Sequence, residues 1–199
     1  APFAVYIRRK LFMHNLGHAI TAYLGAINEY TYISEAINDT DIKYCAYACG
    51  IESAQAIAAD GFPLHQLINF YDRLIYRFNN EKLRDTVARV GRDTKRKLAS
   101  NDRITGAINL CREKDIPYAF LLMGIAGALL FHQKDDASSE MIFNEAKMDL
   151  KQTITRYTAM TDEHDLLAIE KLYGFLLKKD ISTAIKYCEA LKASKILNT

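Results

Sequence analysis

The sequence predicts an all-α fold, and three observations carry the prediction. Apolar residues recur at spacings of three and four, as in Leu64, Leu67, Ile68, Tyr71, Leu74, Ile75 and Phe78. No stretch of any length alternates apolar and polar residues as a half-buried strand does. Only three prolines interrupt 199 residues. Half of the residues are hydrophobic and a quarter are charged, an ordinary composition for a globular protein. The length suits a single helical domain, 1–199, with a real core.

Taken in order, Ala1 to Arg9 reads as a lead-in, and the first helix runs from Lys10 to Gly25. Wound at about 100° per residue, Lys10, His14, His18 and Thr21 share one side. Phe12, Leu16, Ala19, Ile20 and Tyr23 take the other, while Asn15 lies at the edge of the polar arc. A short helix follows around Ser34–Ile37, then a turn at Asn38 to Asp41. Ile42 to Asp60 reads as an alanine-rich helix ended by Gly61-Phe62-Pro63, and Leu64 to Phe78 as a core-facing one. After a basic turn, Asn101-Asp102-Arg103 opens a helix through Arg112. Tyr118 to Phe131 is almost unbroken apolar sequence, shorter than the roughly 20 residues that span a bilayer. With Gly124, Ala126, Gly127 and Ala128 allowing close approach, it is the expected central buried helix. Asp135 to Ser139 reads as a turn. Ser138 to Met160 and Glu163 to Thr199 read as three amphipathic helices, broken at Thr161-Asp162 and Lys178-Lys179-Asp180.

Composition narrows the function. A formal net charge of +2 provides no global field for nucleic acid or an anionic membrane, so neither is expected as a partner. Cys45, Cys49, Cys111 and Cys188 are scattered through helical segments, and nothing resembles a signal peptide, which points to the cytoplasm. Cys45 and Cys49 share a helix face without a second ligand pair, so they read as buried small side chains and no metal is expected.

The chemistry concentrates in Lys10-Leu-Phe-Met-His-Asn15-Leu-Gly-His18 and the Ala-Tyr-Leu-Gly25 that closes the segment. A lysine, two histidines and an amide on one helix supply donors for an oxygen-rich molecule and groups able to move a proton. This Lys-x4-Asn-x2-His spacing resembles the signature of the polyol-specific long-chain dehydrogenases. The nearest branch is the one acting on mannitol 1-phosphate, with mannitol 2-dehydrogenases and hexuronate reductases further off. The resemblance implies Lys10 as the general base, Asn15 as the holder of the developing alkoxide and His18 as the residue orienting substrate. A lysine amine, ordinarily near ~10.4, serves as a base only when desolvated or set beside other positive charge. Ile7 departs from the mannitol 2-dehydrogenases, which place a glutamate three residues before the lysine.

A second stretch, Arg77 to Leu98, carries Arg89, Arg92, Lys95, Arg96 and Lys97 within nine positions, broken by Gly91. Guanidinium forks suit phosphate or carboxylate oxygens. The stretch resembles the same family's RFxNPxLxDxxxRVxxDxxxK segment, with Glu81 in place of the proline. By that likeness Arg89, Arg92 and Lys97 bind substrate, Arg92 being the weaker candidate for the phosphate. The family's cofactor is NAD, which needs a glycine turn at a helix N-terminus. That turn is missing from this sequence. The expectation is therefore a C-terminal, substrate-binding half of a larger enzyme, inactive by itself and partnered by a nucleotide-binding Rossmann domain. Its expected reaction interconverts mannitol 1-phosphate and fructose 6-phosphate. An oxidoreductase for unphosphorylated polyols or hexuronates, and a non-enzymatic helical interaction domain, remain alternatives.

Overall fold

The computed structural model describes residues 3–197, and the regular elements among them are helical, apart from one isolated bridge between Tyr32 and Thr86. The order is α1 (Phe3–Arg9), a π-helical turn (Lys10–Asn15), α2 (Leu16–Ile27), α3 (Ile33–Asn38), α4 (Thr40–Ala58) and α5 (Leu64–Phe78). A 3₁₀ turn (Glu81–Leu83), α6 (Val87–Gly91), α7 (Thr94–Leu98) and α8 (Thr105–Glu113) follow. The chain continues through α9 (Ala119–Leu130), α10 (Ala137–Met148), α11 (Leu150–Thr158), α12 (Glu163–Leu177) and α13 (Ile181–Leu197).

Helix α9 is the axis of the fold, because a helix that is apolar all round has to be enclosed. Every residue from Ala119 to Leu129 is buried, with α12, α2, α13 and α4 packed around them. Gly124 permits the α2 contact, since a Cβ there would stand 2.4 Å from Ile20 Cδ1. Helix α9 begins against a buried carboxyl group: Glu52 of α4 accepts the backbone N–H groups of Phe120 (3.1 Å) and Leu121 (3.0 Å). These are two of the donors that a helix start leaves unpaired. Burial pushes the Glu52 carboxyl up to about 8, against the opposing pull of those two hydrogen bonds. The Tyr71 ring of α5 lies flush on α4, its hydroxyl donating to Ala46 O at 2.7 Å. The slot exists because residue 50 is glycine; a Cβ there would meet Tyr71 Cε1 at 2.1 Å.

Several sequence expectations change at this level. Phe3 to Arg9, expected as a lead-in, is helical, while Ala1 and Pro2 lie outside the described residues. Asp39 accepts the N–H groups of Asp41 and Ile42, so α4 starts at Thr40. Helix α8 starts at Thr105 rather than at Asn101. The turn expected over Asp135 to Ser139 is cut short because Asp136 caps α10 by accepting from Ser138 N. The helix expected over Ser138 to Met160 divides at Asp149. That residue is extended (φ −149°, ψ 94°) and its carboxylate accepts from Gln152 N at 2.9 Å, starting α11. The expected end of the last helix at Thr199 lies outside the described residues. All four cysteines are buried, as was expected of Cys45 and Cys49. Among the described residues no helix is long and apolar enough to cross a membrane.

Candidate active site

The π turn is what organises the site. Leu16 N–H reaches back five residues to Leu11 O, so this turn holds one residue more than an α turn. In an α-helix, residues five apart are rotated by about 140°. Across a π turn they lie one turn apart and on the same side. Lys10 and Asn15 are so related, and His18 follows three residues on, near one turn further along the α-helix. The edge position expected for Asn15 is therefore corrected. The same phase slip puts Val5 and Met13 into the core together, because the extra residue makes their separation two whole α turns. At the other end, Thr21 leaves the polar face: it is buried and its hydroxyl donates to Gly17 O at 2.8 Å.

Around this face, α5 and the loop before α6 supply the remaining groups. The His18 ring stacks on Phe78 with centroids 4.8 Å apart and planes 10° from parallel. His14 tilts against the same phenyl at 6.0 Å and lies 6.3 Å from His18. His18 Nε2 stands 3.4 Å from Asp85 Oδ2, and the other carboxylate oxygen takes the Arg89 guanidinium. Burial lowers His18 to about 4, outweighing the upward pull of Asp85, and the charges of His14, Arg89 and Lys97 lower it further. His14 is lowered as well, first by burial and then by Arg77 and Lys10. Both rings are thus neutral at pH 7. His18 therefore adds no positive charge to this face at pH 7.

The basic stretch divides. Arg89 is exposed and joins the His18–Asp85 cluster. Lys97 is buried, 4% exposed, and its ammonium donates to Val90 O and Arg92 O, closing the turn after α6. Burial, then Arg103 and Arg96, push its amine down to about 8. Arg92 turns to the start of α10, donating to Asp135 O at 3.0 Å. Lys10 is exposed at the open end of the face, where its charge reaches His14. The structure therefore joins His18 and Arg89 through Asp85, brings the Lys10 charge to His14, buries Lys97 within electrostatic reach of His18, and turns Arg92 elsewhere. Lys10 and Asn15 stand at the two ends of the π turn. Phe78 was expected only as a core residue, and Arg77 and Asp85 were given no role. The motif spacing already contained Arg77 and Asp85, but nothing in a linear sequence aims Asp85 at His18 or brings the Arg77 charge to His14.

A nicotinamide dinucleotide requires a strand-to-helix glycine turn for its pyrophosphate. Among the described residues there is no strand to begin one, and these residues do not form that cradle.

Comparison with known proteins decides the family. Residues 3–193 match the model of the mannitol dehydrogenase C-terminal domain. The chain belongs to that family. A mannitol-1-phosphate 5-dehydrogenase of Caldanaerobacter subterraneus subsp. tengcongensis is 39% identical over 171 residues, 84% of this chain and 44% of the relative. The namesake enzyme of Clostridium acetobutylicum is 38% identical over 159 residues, 79% of this chain and 41% of the relative. Mannitol 2-dehydrogenase of Pseudomonas fluorescens, solved as a ternary complex with NAD and D-mannitol, matches with a TM-score of 0.70 at 18% identity. That match covers 92% of this chain and 40% of the solved one. A D-sorbitol dehydrogenase gives a TM-score of 0.71 at 19% identity over the same shares. The chain thus spans about two fifths of the length of each of these proteins. The expected all-α fold and the expected family are both found.

Proposed function

We propose that this chain is the substrate-binding and proton-transfer half of an NAD-dependent dehydrogenase interconverting mannitol 1-phosphate and fructose 6-phosphate. The observation that carries the reading is the π turn Lys10–Asn15, which runs directly into the helix carrying His18, itself joined to Arg89 through Asp85. In the oxidising direction Lys10 Nζ takes the proton of the substrate hydroxyl, and the Asn15 amide donates to the oxygen as charge develops there. Neutral His18 exchanges a hydrogen bond with a neighbouring hydroxyl and sets the carbon chain in place. In the reducing direction protonated Lys10 returns its proton to the carbonyl oxygen. Arg89 meets the phosphate, Lys97 supports it from behind, and Arg92, engaged with Asp135, contributes less.

The hydride acceptor is supplied by the bound nicotinamide, and no residue of this chain is assigned to hold it. A nucleotide-binding domain would have to dock over the open end of the face and remove water from Lys10, the condition for a lysine base. By itself this chain is therefore expected to be inactive. Position 7 favours the phosphate branch, because an exposed isoleucine stands one turn before Lys10 where a carboxylate proton route would need an acid. The test is cofactor reduction by the polypeptide including whatever precedes Ala1, with mannitol 1-phosphate, mannitol and a hexonate. A strong preference for the phosphate ester supports the reading. Preference for mannitol or the hexonate overturns the substrate class while leaving the role of Lys10.

A further inference from the structure

Among the described residues, Asp85 is the carboxylate that touches both a proposed catalytic side chain and a proposed substrate contact. One oxygen is 3.4 Å from His18 Nε2 and the other takes the Arg89 guanidinium. We propose that Asp85 is a positioning residue: it holds His18 as the Nε2–H tautomer and fixes Arg89 at the same edge, so that the two present a single hydroxyl-and-phosphate surface. This rests on the dehydrogenase reading above.

Three features support it. First, the Asp85 backbone is clamped independently of any ligand. Ile33 N donates to Asp85 O at 2.9 Å, and Val87 N donates to Thr31 O at 2.9 Å. Thr86, next in sequence, caps α6 by accepting from Arg89 N at 3.1 Å, which fixes the base of the arginine as well. Second, stacking on Phe78 restrains the imidazole plane, leaving its protonation pattern as the variable that decides what it offers substrate. Third, electrostatics selects that pattern. A neutral ring with an Nε2 lone pair facing a carboxylate oxygen is repelled, whereas an Nε2–H is attracted. The proton therefore resides on Nε2, and Nδ1 is left as an acceptor for a substrate hydroxyl. The ionisable groups acting on the ring are Asp85, His14, Arg89 and Lys97, and Asp85 alone pulls protons toward it. At 3.4 Å the contact is longer than a closed hydrogen bond, so Asp85 acts on the ring through its charge.

The experiment uses the intact enzyme selectively labelled with ¹⁵N-histidine, as wild type, Asp85→Asn and Asp85→Glu. The His18 signal is assigned by its loss in His18→Gln, and KM and kcat are measured in parallel with mannitol 1-phosphate. The wild type should show His18 as the Nε2–H tautomer. Asp85→Asn should mix the tautomers and raise KM by roughly tenfold to a hundredfold, the range for an outer partner that orients a histidine. Asp85→Glu should restore most of both. An Asp85→Asn protein with an unchanged tautomer overturns the proposal, as does one whose KM stays within twofold of wild type. Equal losses in Asn and Glu variants, matched by a lowered melting temperature, also overturn it by making Asp85 merely structural. A wild type that oxidises no polyol phosphate defeats the dehydrogenase reading instead, and the tautomer comparison then decides the role of Asp85.

Discussion

Replacing Glu52 by glutamine should change stability in opposite directions at the two ends of the neutral pH range. The carboxyl is 1% exposed and is shifted from an ordinary 4.5 up to about 8 by burial. A raised folded-state value means that the native protein holds this proton more tightly than the unfolded chain. Its contribution is fully present below 4.5 and is lost as pH rises toward 8. At 1.36 kcal/mol per pH unit, the loss between pH 5 and pH 8 is about 3 kcal/mol. Glutamine does not ionise and escapes this penalty. It has one acceptor oxygen, so one of the Phe120 and Leu121 N–H groups loses a partner, at a pH-independent cost of about 1–3 kcal/mol. The variant should therefore be the less stable protein at pH 5 and the more stable one at pH 8. Equilibrium urea unfolding of both proteins across that range measures the difference, in which every other titrating group cancels to first order. A difference that stays flat with pH would refute the argument that burial outweighs the two hydrogen bonds at this carboxyl.

Other outcomes follow from the same structure. His18, lowered to about 4, is held neutral by the fold, so stability should fall as pH drops from 6.5 toward 4. The full drop is roughly 3 kcal/mol, and His18→Gln should remove that part of the acid sensitivity in unfolding measurements at pH 7 and pH 4. Gly50→Ala should cost about 1–3 kcal/mol, because the Tyr71 ring is rigid, buried and tied to Ala46 O. Gly124→Ala should cost less when both variants are compared by urea unfolding, since its new methyl is crowded by the end of the Ile20 side chain, which can rotate away.

Much of the fold was legible because helical burial writes itself into spacing. The span Leu64–Phe78 was readable to the residue, with a hydrophobic stripe bounded by Pro63 and Asn79. The central helix was legible from its unbroken apolar run. The misreadings have local causes. At Asp149 a single capping carboxylate ends one helix and starts the next without disturbing the apolar rhythm, so periodicity runs straight through it. At the signature, a π turn slips the phase by one residue, which a fixed 3.6-residue winding cannot represent. Lys10, Asn15 and His18 were identifiable as a set from their types and spacing, yet their alignment depends on that slip. The basic stretch was visible only as a cluster. Which of its members face His18 depends on the pairing of residues 31–33 with 85–87, a long-range contact without a sequence period. Lys97 illustrates the limit: its charge suggested an exposed contact, whereas the carbonyls of Val90 and Arg92 enclose it.

The central claim is that Lys10 is the base, and chemical rescue tests it most directly. In the intact enzyme, Lys10→Ala should lower kcat for mannitol 1-phosphate oxidation by about 10²–10⁴-fold, the usual share of a positioned acid–base group. A small primary amine added to the assay should restore part of that rate in the variant and leave the wild type unchanged. A variant that keeps its rate within a few-fold of wild type, or loses it without any response to added amine, would contradict the account.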